Sequence, residues 1–352
     1  MSSGPRSATL AERFILAFRL PYVLGCVLVG VVLFGIVDAV LQAYSATSNV
    51  DRTFAYVFAP PNVAVYLLVA YSFYASRYMR ERLEQVGLAP FLPDGEAGYA
   101  RIFGSVSAKR PQVVTWALFL VTLLLATNAS AFSGGGPGTF VFNAGPGSAL
   151  EFISGIYSLV SYAVATLGLS SVLWTYSTIS RGIHRFGGAP LTLRPYFEDA
   201  FLGLKPVGSL ALSLASAYFG FIGFIVLTLL VSPVSPSVVD IISVGGFVAG
   251  LIVLGLVMFF LSLNTLHRRM LAEKHAERAR LREKLSPVLQ EPAHPMAPRE
   301  IGHLFRLDMQ DRKVASMATW PFDVGIIGRL SVIAFSVTAI LISRVLSLVL
   351  KI

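Results

Sequence analysis

Two adjacent carboxylates, Glu198 and Asp199, lie in the stretch RPYFEDAFLGLKP (Arg194 to Pro206) between two long apolar runs. Paired acids can serve general acid–base catalysis or hold a divalent metal. Consecutive residues of a helix, however, point about 100° apart and cannot chelate one ion without ligands from elsewhere. Pro195 suits a first helical position, and beyond it Tyr196, Phe197, Ala200, Phe201 and Leu204 share one face. The spacing predicts an interfacial helix with Glu198, Asp199 and Lys205 turned to water. All five histidines (His184, His267, His275, His294 and His303) fall outside the apolar runs. Their position argues against haem ligation between spans and against proteases that need a histidine inside the membrane. No HExxH, CxxC or P-loop spacing occurs. His267 and His275 lack a nearby third ligand, and the single cysteine, Cys26, rules out an intramolecular disulfide. The chain is expected to hold no catalytic set, no metal and no cofactor.

Asp94 to Arg101, DGEAGYAR, invites comparison with enzymes that make phospholipids from CDP-alcohols, which use Asp-Gly-x-x-Ala-Arg. Here the Ala-Arg pair comes two residues late, and the further paired aspartates are missing downstream. Those carboxylates would hold the metal for phosphoryl transfer, so the match fails on mechanism. The polar pattern inside the apolar runs is a pair of small-residue seams. One runs through Glu151, Ser154, Ser158, Ser161, Ala165, Gly168 and Thr175; the other through Ser209, Ser213, Ser216, Gly220 and Gly223. Small side chains let helix backbones approach closely in lipid. The two seams are therefore expected to pack on each other, or else to line a hydroxyl-bearing path ending at Glu151. Gly246 and Gly250 form a GxxxG contact suited to the same use or to self-association. Of the ionisable residues in the apolar runs, Asp38 and Arg344 are the two read as lying well inside, late in the first and last runs. At about 24 Å and 30 Å along their helices they are placed to pair.

Those residues need elements to hold them. Of 352 residues, 55% are hydrophobic and 13% charged, against about 25% charged in a soluble domain. Apolar runs of the ~20 residues needed to cross a bilayer recur along the chain. Seven are legible: Tyr22–Tyr44, Asn62–Tyr78, Gln112–Ala131, Leu150–Thr178, Val207–Val231, Val239–Leu263 and Val324–Leu348. VLGC, Val23 to Cys26, loosely matches a lipoprotein cleavage site, but the strongest apolar run follows it, as in a retained anchor. The net charge of +9 is a topology signal and not a nucleic-acid one. Of 28 Lys and Arg, all but Arg52, Arg344 and Lys351 fall on one side of the proposed spans. Loops rich in Lys and Arg stay cytoplasmic, which places the N-terminus inside and the C-terminus outside. Trp116, Trp174 and Trp320 fall at inner span ends, where amphipathic rings sit well.

The expected fold is all-α: a polytopic membrane protein of seven transmembrane helices with interfacial elbow helices and a cytoplasmic helical hairpin. Its parts are an N-terminal interfacial helix (1–21), a six-helix region (22–264), the hairpin (265–323) and a seventh span (324–352). Leu10, Phe14, Ile15 and Phe18 give the first helix its apolar face; Tyr99, Ile102, Phe103 and Val106 do so for the first elbow. Gly87 suits a left-handed cap. In the hairpin, Leu266, Met270, Leu281 and Leu285 make a thin stripe, the stretch from Ser286 to Pro298 breaks the helix, and a second helix from Arg299 to Ala318 carries Ile301, Leu304 and Phe305 on one side. Such a chain is expected in a plasma or inner membrane as a scaffold, complex subunit or signal-coupling protein. Its expected partners are the lipid bilayer, itself or other membrane proteins, and a cytoplasmic partner at 265–323. The competing reading is a channel or transporter using the two seams.

Overall fold

The computed structural model describes residues 8–40, 55–127, 149–193, 195–231, 238–290 and 298–322, with scattered positions from 325 to 343. Every regular element among them is helical. The order is α1 (Leu10–Leu16), α2 (Tyr22–Leu28), a π-helical turn run at Val29–Val37, α3 (Pro60–Val86), α4 (Gly95–Phe103), α5 (Lys109–Thr127), α6 (Ala149–Gly188), α7 (Lys205–Val231), α8 (Val238–Gln290) and α9 (Pro298–Ala315). Five helical stretches are long and apolar enough to cross a membrane: Tyr22–Val40, Gly95–Leu125, Gly155–Gly188, Lys205–Val231 and Gly245–Glu283. They coincide with five of the seven expected runs. The last expected run is described only at scattered positions, and Arg344 within it lies outside the described residues.

The remaining run, Asn62–Tyr78, is helical within α3, but α3 is not among the five. Its place explains its composition. α3 is flanked by α2, α6 and α7, so much of its surface meets protein and can carry rings and hydroxyls. Ala64, Val69, Ser72, Phe73, Ser76, Met79 and Leu83 are all buried. Pro60 and Pro61 occupy its first turn, where a missing N–H costs nothing. Gly87, at φ 58°, ends it with the expected left-handed cap.

The core continues through α6, α7 and α8. Tyr176 of α6 stacks on Tyr218 of α7 with ring centroids 4.4 Å apart and planes 14° apart. Both hydroxyls then donate to carbonyls of α8, Tyr176 to Gly255 at 2.8 Å and Tyr218 to Leu251 at 3.0 Å. One aromatic pair thus ties three helices and leaves neither hydroxyl unsatisfied. At 40 and 53 residues, α6 and α8 are about 60 and 80 Å long, at least twice the ~30 Å apolar thickness of a bilayer.

Several connecting segments differ from expectation. No helix forms from Pro195 to Leu204; the chain makes successive turns. Asp199 is the cause, because its carboxylate accepts from the N–H groups of Phe201 and Gly203, both at 2.9 Å. Such local bonds compete with the helix, and Leu202 and Gly203 accordingly turn left-handed at φ 56° and 84°. Leu202 and Leu204 are buried while Phe197 is exposed. Asp199 is a backbone staple and not a bystander on a wet face.

In α1 the helix stops at Leu16, and the buried positions are Ala11, Glu12 and Ile15, with Phe18 half exposed. α8 runs on past Pro287 to Gln290, although the proline removes one helical N–H. In α9 Phe305 is exposed; Leu307 and Val314 are its buried residues, followed by Met317 just beyond it. α4 follows expectation, with Phe103 and Val106 buried and Tyr99 and Ile102 packed beside them. The described part of the α8 stripe, Leu266, Met270 and Leu281, is likewise buried.

Candidate functional site

The two seams do not chiefly face each other; both turn to α3. A Cβ added at Gly168 would collide with the Ser72 hydroxyl, and one at Gly220 with the Tyr71 hydroxyl. Thr175 is fully buried and shares a 3.1 Å hydrogen bond with Ser76 of α3. Along α7, Ser209 donates to the Pro206 carbonyl at 2.9 Å and Ser213 to the Ser209 carbonyl at 3.0 Å. Those two hydroxyls are spent on their own helix. Ser216 and Ser158 are half-buried, and Ser161 is buried. Glu151 and Ser154 lie in α6 with side chains outside the described set. Small residues were needed for a reason the hydropathy pattern hides: they admit the rings and hydroxyls of a central third helix.

Two internal carboxylates define two polar clusters, and only one was visible in the sequence. Asp38 follows the π-helical run, and Tyr56 Oη donates to its Oδ2 at 2.8 Å. Asp38 lies within electrostatic reach of the Tyr66 and Tyr157 hydroxyls. Tyr157 of α6 donates to the Leu33 carbonyl at 2.7 Å. The hydroxyls of Tyr66 and Ser161 are buried without a hydrogen-bond partner among the described residues. Tyr157 stands beside Ser161 without the geometry of a bond.

Tyr66 packs against this run: a Cβ at Gly30 would come 2.7 Å from its carbonyl oxygen, and one at Gly35 would come 3.0 Å from its ring. Lacking Cβ atoms, the two glycines let the run close around that tyrosine. Tyr66 also borders an apolar groove of about 610 Å³, lined with Val31, Ile36, Val40, Phe58 and Val63 among others. Of the sequence-derived ion pair, the structure describes only the Asp38 half; Arg344 lies outside the described residues.

The second cluster centres on Glu12. Thr9 Oγ1 accepts from the Glu12 N–H at 3.3 Å and the Glu12 carboxylate accepts from the Thr9 N–H at 3.4 Å, a capping box. Arg80 Nε of α3 donates to both Glu12 oxygens, at 2.7 and 3.0 Å. The same guanidinium reaches Glu84 at 2.5 Å. Burial disfavours the Arg80 charge, but Glu12 and then Glu84 outweigh it and hold its pKa above the ordinary value. Nearby, Gln112 Oε1 accepts from the Leu10 N–H at 2.7 Å and its Nε2 donates to the Val106 carbonyl at 2.6 Å. The Arg77 guanidinium lies 4.4 Å from the Tyr22 ring centroid.

Nothing local marks Glu12 or Arg80 as partners in the sequence, since 68 positions separate them. Tyr66 and Tyr157 were equally hidden, because tyrosines inside apolar runs read as packing, and Tyr56 lies in the connector between two runs. Among the described residues no group of three or more His, Cys, Asp or Glu could hold a metal ion. The Asp38 cluster offers an acceptor, several phenol hydroxyls and an apolar flank, a set that can bind a proton or a small polar group but contains no activated nucleophile. No family model, curated protein or solved structure matches the chain.

Proposed function

We propose that the chain is a non-catalytic scaffold or complex subunit that spans a cell membrane seven times, N-terminus inside and C-terminus outside. The basic connectors then gather on the cytoplasmic side. What carries the reading is how they are joined. The Thr192 N–H donates to the Phe91 carbonyl at 2.9 Å, and the Ala318 N–H donates to the Ala200 carbonyl at 3.1 Å. Lys274 of α8 donates to the Ala315 and Met317 carbonyls at 2.8 and 2.7 Å, capping the end of α9. His267 stacks on Trp320 with centroids 4.0 Å apart. Three connectors become one platform, and α9 holds Phe305 and Met309 exposed on it. A second surface supports self-association: a side chain at Gly246 or Gly250 would meet nothing within 4 Å, and Phe247 between them is exposed.

In-cell crosslinking of the tagged full chain, followed by size exclusion, tests the reading. Wild type is expected in a complex larger than the chain, and Phe305→Asp/Met309→Asp is expected to lose it with an unchanged melting temperature. A chain that runs alone in both forms contradicts the proposal. The competing channel or transporter reading draws on one observation, the Asp38 cluster with its two unpartnered hydroxyls, and it predicts solute or proton flux that Asp38→Asn abolishes.

A further inference from the structure

Between α6 and α8 lies a pocket of about 120 Å³ lined by Ser180, Arg181, His184, Arg185, Met258, Leu261 and Ser262. That is about four times the ~30 Å³ a water molecule occupies in the liquid, room for a tetrahedral oxyanion. Arg181, His184 and Arg185 recur at i, i+3 and i+4 of α6, so they share one face. All three are exposed, and neither arginine has an ion pair or hydrogen bond among the described residues. Elsewhere Arg80 pairs with Glu12, Arg77 with Glu81 and Arg101 with Asp94. His184 is anchored to α8. Its Nδ1 lies 3.1 Å from the Leu261 carbonyl and 2.8 Å from Thr265 Oγ1. Because a carbonyl only accepts, Nδ1 carries the hydrogen, and Nε2 donates to an anion when the ring is the doubly protonated imidazolium. Apolar surface adjoins this basic rim, for Val253, Leu254, Val257 and Phe260 of α8 are all exposed.

We propose that this pocket binds the phosphate of an anionic phospholipid, with the acyl chains lying along the exposed apolar face of α8. The order of chemistry along the two helices carries the inference. An apolar face of bilayer character gives way, at one end, to two guanidinium groups with no ion pair among the described residues and an oriented imidazole around an anion-sized hollow. Arginine's planar fork matches phosphate oxygens, and basic pockets between spanning helices bind such headgroups. The inference rests on the topology proposed above, which sets the basic end in the cytoplasmic leaflet.

Native mass spectrometry of the purified full chain, offered phosphatidylglycerol and phosphatidylcholine at equal concentration, tests it. Wild type is expected to retain one phosphatidylglycerol in preference. Arg181→Gln/Arg185→Gln is expected to bind it about 30-fold more weakly, from about 1 kcal/mol for each basic residue. Leu261→Trp, which fills the pocket and keeps every charge, is expected to weaken it as well, so a double variant that fails to fold leaves the test standing. Arg282→Gln, exposed elsewhere on α8, should bind as wild type does. Equal retention of the two lipids, or an unchanged preference in both pocket variants, overturns the proposal. Displacement by inorganic phosphate at matching concentration would assign the site to a soluble phosphate ester and overturn the lipid. Topology is checked separately by labelling Gly188→Cys in a Cys26→Ser background, a position with open space around it. Labelling from outside alone would overturn the proposed topology; inside labelling with no lipid preference overturns the pocket only.

Discussion

Glu12 and Asp38 are both carboxylates enclosed among helices, yet they are held in opposite ways. Glu12 is 1% exposed and meets a guanidinium that bonds both its oxygens, with a capping threonine beside it. Asp38 meets a phenol hydroxyl, next to two buried hydroxyls with no partner among the described residues and an apolar groove. A buried charge that is fully paired fixes geometry and leaves nothing over for a ligand. A cluster with unspent hydrogen-bonding capacity is stabilised less and retains the ability to bind. The basic end of the molecule, where Glu12 pins α1 to α3, is built as a lock. Beside Asp38, the Tyr66 and Ser161 hydroxyls have no partner among the described residues.

The comparison breaks most sharply at Arg80. Arg80→Met strands the Glu12 carboxylate in a buried site and should cost about 3–5 kcal/mol, read as a large fall in melting temperature by size exclusion in detergent. Arg80→Lys, which keeps the charge and loses the two-oxygen contact, should fall between. Asp38→Asn should shift the melting temperature little, because an amide oxygen still accepts from Tyr56. If Arg80→Met and Asp38→Asn proved equally damaging, the two carboxylates would not differ as described.

Next in size is the packing on α3. Gly168→Leu must push against Ser72 and Phe73, an overpacking worth about 1–3 kcal/mol. Gly246→Leu meets open space and should leave monomer stability unchanged. Equal tolerance of both in thermal unfolding would mean α3 is not the element the seams serve. Smallest is the hydroxyl pair. Tyr176→Phe loses its bond to the Gly255 carbonyl and should cost about 1 kcal/mol, while Tyr66→Phe removes a buried hydroxyl without a partner and should be neutral or slightly stabilising. Matching losses from the two substitutions would show that Tyr66 is bonded after all.

Five of the apolar runs were readable because length and hydropathy are local properties, as were the Gly87 cap and the face of α4. What could not be read is what distance in sequence conceals. The seams on α6 and α7 announced close approach but not the identity of the helix approaching, since a glycine records only that something large is near. Glu12 drew no notice in the sequence because its guanidinium partner sits on another helix. Asp199 was the legible error: an aspartate can bond the backbone two residues on and start a turn, and the apolar spacing of its neighbours outweighed that signal. In the candidate site Asp38 stood out by charge alone, whereas the tyrosines around it shared the appearance of core residues.

Flux bears most directly on the proposal that this chain organises a membrane complex without moving solute or catalysing a reaction. The measurement is proton and ion flux across liposomes holding the purified full chain, wild type against Asp38→Asn, with protein-free liposomes as the baseline. Both proteins are expected to match the baseline. Flux above it in wild type that disappears in Asp38→Asn would contradict the account and make the Asp38 cluster part of a conducting path.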